Sequence, residues 1–273
     1  MPKYLTLAPG LLLIALMFLI PVGLVFWQGL FDPAFTTDHF DRFFNRGAYL
    51  RVFWNTMRVS ATVALMCLLL GYPVAYFIVR QPPERRPLLL FLVLVPLWMS
   101  ILARSYAWMV VLGREGIINQ TLMGVGLIDE PVQMMFTTGA VYVAMVQILM
   151  PILIVTCFSA MTEIDQSLLR AARVMGATRT KAFRTVFLPL SAEGAITGTL
   201  IVFILSMGFF IVPTLLGGRR DALLANLITG QVSRTNWGFA AALSIVLLIA
   251  TMLVLALVRT LSARMVHAPA EEH

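Results

Sequence analysis

Arg104 is the residue of this sequence whose position most suggests binding chemistry, because it is a charge inside the long apolar run 88–112. A guanidinium there can bind a carboxylate or a phosphonate, and nearby aromatic faces can bind ammonium groups. Alternatively, Arg104 is a snorkelling or paired interfacial arginine within an aromatic belt. On a straight helix it lies roughly 24 Å from Leu88, toward the outer third of a bilayer. The candidate solute-contacting residues are Trp98, Arg104, Tyr106, Trp108, Phe209 and Phe210.

A polar gap between two apolar runs contains a second informative segment. It reads Arg170-Ala171-Ala172, three residues, Gly176, nine residues, and Val186-Phe187-Leu188-Pro189. Asp165, or Thr162 slightly earlier, is suited to cap a helix of about three turns over 166–175. The face expected to be apolar on this helix consists of Leu168, Leu169, Ala172 and Met175.

The same gap predicts a second helix. Gly176 ends the first one, because a left-handed backbone past the last turn suits glycine. Thr178 can cap the next helix, which we expect to stop by Pro189. The small side chains of Ala171 and Ala172 would let a partner approach closely, and the neighbouring arginines offer charge to an acidic rim.

No catalytic or metal-binding constellation is found in the sequence. Cys67 and Cys157 lie inside apolar runs without a Cys or His at metal-ligand spacing, and the three histidines are scattered. A phosphate-binding loop needs a Gly-Lys-Ser/Thr step, but the only lysines, Lys3 and Lys181, do not follow glycine. We therefore expect no cofactor, no metal and no ATPase site in this chain.

Composition places these residues in a membrane. Of 273 residues, 60% are hydrophobic and only 12% are charged, and the mean hydropathy is +0.89. We expect the first run to be retained as a helix, not removed as a signal peptide, because no small-residue cleavage site precedes Asp32. Gly194 and Gly198 permit close helix packing near the fifth run. The six runs long enough to span a bilayer are 7–29, 57–79, 88–112, 137–159, 195–216 and 237–260.

The distribution of charge predicts the orientation of the chain. Six crossings put both termini on one side, and the segments on that side carry an excess of Lys and Arg over Asp and Glu. On the opposite side the charges cancel. Both termini and the segment around Gly176 are therefore expected in the cytoplasm. This topology accounts for the pI of about 10 without a nucleic-acid partner.

The segment from Arg170 to Pro189 resembles the E-A-A-x-x-x-G-x(9)-I-x-L-P loop of permease subunits of bacterial ABC importers. The match covers Ala171, Ala172, Gly176, Leu188 and Pro189, with Val186 in place of the usual isoleucine. Arg170 stands where the family has glutamate, which suggests a partner surface adjusted to a positive charge. In that family the short helix is the coupling helix, seated in a groove of the nucleotide-binding subunit. The resemblance therefore implies that Arg170, Ala171, Ala172, Gly176, Ala177 and Pro189 belong to an ATPase-docking coupling loop.

Two further segments are similar to spermidine/putrescine-type permeases. They are LVPLWMSILARSYAWMVVLGREGIIN, from Leu94 to Asn119, and GFFIVPTLLGG, from Gly208 to Gly218. This likeness implies a polyamine as the solute. Related permeases for opines, aminobutyrate-like amino acids or aminophosphonates share these segments, so such a solute is the alternative.

The resemblance implies an all-α integral membrane protein with six transmembrane helices, the type I ABC importer permease fold and cytoplasmic termini. Its expected parts are 1–56, a first helix and outer loop; 57–260, the transmembrane domain with a coupling loop at about 160–194; and 261–273, a cytoplasmic tail. The implied location is the bacterial cytoplasmic membrane. The implied partners are two ATP-binding subunits, a second and different permease chain, and an extracellular or periplasmic solute-binding protein.

Rival classes fit the residues less well. A secondary carrier normally places acidic groups within its spans, and none is found inside the five later runs. A membrane enzyme would need a catalytic constellation.

Overall fold

The computed structural model describes residues 4–32 and 34–266, and the side chains of these residues except 4–8, 11, 166 and 261–266. The described part of the chain is helical and contains no strand, which confirms the all-α prediction. A 3₁₀ turn spans Val95–Trp98, and a π-helical turn spans Phe183–Phe187. The α-helices are α1 Tyr4–Leu30, α2 Asp38–Asn45, α3 Gly47–Val79, α4 Arg86–Leu94, α5 Ile101–Leu112, α6 Ile117–Gly124, α7 Thr138–Thr162, α8 Gln166–Val174, α9 Arg179–Ala182, α10 Leu188–Met207, α11 Ile211–Leu216, α12 Leu224–Ser233 and α13 Trp237–Val266.

Five of the described helical stretches are long and apolar enough to cross a membrane, and a bent helix pair supplies a sixth crossing if it counts as one span. They follow the predicted order of apolar runs. The last helix continues to Val266, past the predicted boundary at 260, and residues 267–273 of the predicted tail lie outside the described residues. The five stretches are Leu12–Leu30, Gly47–Val79, Thr138–Thr162, Arg179–Met207 and Trp237–Thr260.

The third predicted span is not a straight helix. Helical segments Arg86–Trp98 and Ile101–Gly124 meet at an angle of 91°. Pro96 has no N–H to donate, the turn around it is 3₁₀, and Met99 is extended with ψ 140°. The straight-helix estimate of the depth of Arg104 is therefore wrong, because it assumed one axis from Leu88 onward.

The fifth predicted span, 195–216, is also displaced. The continuous helix runs over Arg179–Met207 and ends at Gly208, and α11 is a separate short helix. The expectation that the helix after Thr178 stops by Pro189 is wrong. The N–H of Leu188 donates to the carbonyl of Phe183, a π-type bond, and the helix widens immediately before Pro189, where the proline's missing N–H falls.

Helices α3, α7 and α10 pack against one another and form the main core. Val63, Met145 and Val202, one from each helix, are fully buried. Gly194 lies so close to Ala160 on α7 that an added Cβ would overlap the alanine methyl, and a Cβ at Gly198 would lie 3.3 Å from Cβ of Thr156. This confirms the close approach expected from the two glycines.

Candidate functional site

The short helix α8 is held at its start by Asp165, as predicted. The N–H of Ser167 donates to Oδ1 of Asp165 at 2.8 Å, and the Ser167 hydroxyl donates to Oδ2. These hydrogen bonds, first from the side chain and then from the backbone of Ser167, hold the pKa of the exposed Asp165 carboxyl below its ordinary value. Asp165 therefore stays ionised near neutral pH and keeps the cap.

The end of α8 is a complete Schellman motif. Gly176 has φ +87°, its N–H donates to the carbonyl of Arg173, and the N–H of Ala177 donates to that of Ala172, each at 3.0 Å. Thr178 then caps α9 by accepting from the N–H of Lys181 at 3.3 Å. The two caps fix the direction of α8 relative to the helix that follows it.

The faces of α8 differ in part from the prediction. Ala172 is only 6% exposed and Leu169 is half-buried, so both pack on the body of the protein. Leu168 is exposed, and Met175, at the C-cap of α8, is 81% exposed, so neither is buried together with Leu169 and Ala172. The side chain of Ala172 is covered by this chain itself, so Ala171 is the more accessible of the two small residues predicted to let a partner approach closely.

The surface of this loop that remains open is apolar at its tip and basic beside it. Val174 is 88% exposed, next to exposed Met175, while Arg170 and Ala171 are exposed on the outer side. Large apolar side chains in this position suit contact with another protein. Five of the six predicted docking residues lie in α8 and the turn that ends it: 170 to 172, 176 and 177. The sixth, Pro189, lies separately in α10.

The predicted solute-contacting residues do not form one cluster. Trp98 lies before the 91° break and packs its ring 5.5 Å from that of Phe91, and Tyr106 is 55% exposed. Trp108 is half-buried and donates its indole N–H to Oε1 of Gln147 at 3.4 Å. The aromatic residues therefore do not enclose Arg104 together.

Arg104 is a buried charge without a partner in the described part of the chain. Its side chain is 6% exposed, and neither Nε nor Nη1 has a hydrogen-bond partner there. The buried hydroxyls of Ser60 on α3 and Ser206 on α10 are likewise unpartnered among described residues. Sequence reasoning missed these two serines, because a serine within an apolar run gives no distinctive signal. Buried polar groups of this kind normally find partners.

Phe209 and Phe210 lie at the break between α10 and α11. Phe209 is half-buried, and Phe210 is exposed and lines a cavity of about 650 Å³ that Leu102 of α5 also borders. The Phe210 carbonyl, at the N-cap of α11, accepts from the N–H of Thr214 at 3.1 Å and from Nδ2 of Asn226 at 2.9 Å. The polar residues that line this cavity were not predicted from the sequence; they include Thr214, Arg219, Asn226, Thr229 and Ser233.

An acidic cavity lies at the base of the α8 loop. It has a volume of about 640 Å³, and its lining includes the carboxylates of Glu163, Asp165 and Glu193 and the hydroxyls of Thr156 and Thr197. These three carboxylates lie outside the predicted apolar runs, and no pattern in the sequence indicates that they border one cavity.

The described helices form a bundle of candidate membrane spans with a capped, exposed helix on one of its loops. The chain belongs to the family of binding-protein-dependent transport system inner membrane components, which matches residues 67–267. It has the type I fold of ABC importer permeases and is such a permease subunit, a multi-pass membrane protein.

Two relatives show how far the similarity extends. The spermidine/putrescine transport system permease protein PotB of Escherichia coli (strain K12) is 38% identical over 222 residues, 81% of this chain and 80% of that protein. PotB of Haemophilus influenzae is 38% identical over 244 residues, 89% of this chain and 83% of its own length. Among solved structures, a bacterial ABC transporter that imports alginate covers 96% of this chain and 94% of its own, with a TM-score of 0.75 at 19% identity. This last likeness shows the fold alone.

Proposed function

We propose that this chain forms part of the path by which a polyamine, spermidine or putrescine, enters a bacterium across its cytoplasmic membrane. The observation that carries the proposal is the 38% identity to two PotB permeases over at least 81% of the chain. The acidic cavity supports it, since carboxylates and hydroxyls are the groups that bind ammonium ions. Both termini and the α8 loop face the cytoplasm in this proposal, in agreement with the excess of Lys and Arg there.

The proposed partners are two ATP-binding subunits, a second and different permease chain, and a solute-binding protein outside the membrane. The α8 loop, within 160–194 of a transmembrane domain over 57–260, docks on an ATP-binding subunit. ATP is hydrolysed by that partner, since this chain lacks the Gly-Lys-Ser/Thr step. Arg170, Val174 and Met175 offer the partner one charge and two apolar side chains. Closure of the ATP-binding subunits moves α8, and the spans follow.

A second candidate solute is amino-acid-like or phosphonate-bearing. Arg104 favours it, because a buried guanidinium without a partner in the described residues suits a carboxylate or phosphonate better than a polycation. The two candidate solutes therefore differ in the charge that they would bring to Arg104: a polyamine is positive, whereas a carboxylate or phosphonate is negative.

Uptake of labelled spermidine tests the proposal in cells that express this chain with its ATP-binding, permease and solute-binding partners. Excess putrescine, aminobutyrate and an aminophosphonate serve as competitors. Uptake that putrescine abolishes supports the polyamine assignment. Absence of spermidine uptake, with aminobutyrate or aminophosphonate accumulating instead, would contradict it and make Arg104 the candidate contact for the solute anion.

A further inference from the structure

A basic cavity of about 490 Å³ lies beside α8, where the end of α3 and the start of α4 meet the loop. Arg80 and Arg86 line it from the α3–α4 connection, and Arg173 and Arg179 line it from the loop. Among the described residues that border this cavity there is no Asp or Glu. Four positive side chains from two separate parts of the chain therefore share one space without a carboxylate.

Most of the donors of these arginines have no partner among the residues that the structure describes. Arg86 donates Nε to the carbonyl of Gln81 at 2.9 Å, and Arg173 donates Nε to that of Leu169 at 3.3 Å. The Arg80 guanidinium carbon lies 5.5 Å from the centroid of the Tyr76 ring. A guanidinium has five N–H donors, so the cavity offers many directed donors to an anion. Without one, the like charges repel one another.

The floor of the cavity is aromatic. The ring centroid of Tyr76 lies 5.1 Å from those of both Phe183 and Phe187, and Phe187 is buried. Tyr76 belongs to a helix long and apolar enough to span the membrane. A basic rim above an apolar floor at the end of a span matches the two parts of a phospholipid, its phosphate and its glycerol and acyl carbons.

We propose that this cavity binds the phosphate headgroup of an anionic phospholipid of the inner leaflet. The assignment rests on the cytoplasmic orientation of the α8 loop in the proposed function. Basic pockets between spans on that side suit anionic headgroups, and arginine binds phosphate with paired N–H groups. An acidic side chain of a protein partner fits less well, because it would leave the aromatic floor uncovered. A bound headgroup ties the α3–α4 connection to α8 and stabilises the position of the loop.

The test measures lipid retained by the detergent-purified importer complex that contains this chain, by mass spectrometry under native conditions. We compare the unmodified complex with one carrying Arg80→Gln and Arg86→Gln, which lie outside the docking loop. Retention of anionic phospholipid is expected to fall about fivefold for each arginine removed. Arg80→Lys with Arg86→Lys should retain more lipid than the glutamine pair, and Arg184→Gln, an exposed arginine nearby that does not line the cavity, should retain it fully.

Three outcomes overturn the proposal. In the first, the glutamine pair retains as much anionic lipid as the unmodified complex. In the second, excess inorganic phosphate displaces the bound phospholipid, and phosphate alone stabilises the complex against thermal unfolding in zwitterionic lipid. The ligand is then free phosphate. In the third, the glutamine pair loses its ATP-binding subunits while its lipid is unchanged, which assigns the cavity to that protein interface. Lipid retention is measured without solute. A failure of polyamine uptake would therefore contradict the proposed function without contradicting the lipid-binding proposal.

Discussion

Gly176 is the residue on which the shape of the docking loop most directly depends. Its φ of +87° is strained for any L side chain, although no atom lies within 4 Å of an added Cβ. The penalty for Gly176→Asp is therefore in the backbone, roughly 1–2 kcal/mol. The structure thus predicts a local distortion of the turn after α8, with the spans intact.

We expect Gly176→Asp to insert into the membrane at normal levels but to lower ATP-driven uptake about five- to thirtyfold, the range that 1–2 kcal/mol corresponds to when about 1.4 kcal/mol is a factor of ten. Gly176→Asn should be milder, because asparagine tolerates the left-handed region better. Gly126→Asp is the matched control, since Gly126 has φ +75° and equally open surroundings but lies outside the loop. Normal uptake by Gly176→Asp, or an equal loss in Gly126→Asp, would count against the docking role.

The Arg104 side chain has no hydrogen-bond partner among the described residues. A substitution at this position therefore tests whether the charge serves the solute or the fold. Replacing a buried unpaired charge by an apolar side chain of similar size removes the desolvation cost of that charge. We therefore expect Arg104→Met to leave the thermal unfolding temperature of the purified subunit unchanged or raised, while uptake by the complete importer changes. A lowered unfolding temperature would indicate that Arg104 stabilises the subunit itself.

Among the helices, the contact between α7 and α10 depends on Gly194. Gly194→Ala should destabilise the subunit by about 1–3 kcal/mol, because the new methyl overlaps that of Ala160. Thermal unfolding in detergent measures the change. The double variant Gly194→Ala with Ala160→Gly moves the methyl to the other helix and should recover most of the loss. Gly230→Ala, in α12 with open space around it, is the control; equal destabilisation there would refute the packing explanation.

The sequence predicted the positions of most spans and both caps of the docking loop, because apolar length and capping residues report local structure directly. It did not predict the 91° break, since an apolar run has the same composition whether straight or bent, although Pro96 was an available signal. It did not predict that Leu168 and Met175 are exposed, because an apolar periodicity does not show which of its residues the rest of the chain covers. The unpartnered Ser60 and the acidic cavity depend on contacts between distant segments, which a single sequence does not specify.

The assembled importer should use ATP supplied through another subunit. In proteoliposomes that contain this chain, its permease partner and the solute-binding protein, uptake should be absent until the ATP-binding subunits and ATP are added. An imposed proton or sodium gradient alone should have no effect, because in the proposed function the ATP-binding subunits are the motor. Accumulation driven by such a gradient would instead favour a secondary carrier.

The π-helical turn before Pro189 makes one continuous rod of Arg179–Met207, 29 residues that begin at the docking loop and end deep among the spans. At 1.5 Å per residue such a rod is about 44 Å long, so a tilt of about 10° at one end displaces the other by about 8 Å. If a partner displaces the α8 loop as proposed, a helix that stopped at the proline would form a hinge and absorb that displacement. The widened turn accommodates the proline without such a hinge, so the loop and the span are joined as a single lever.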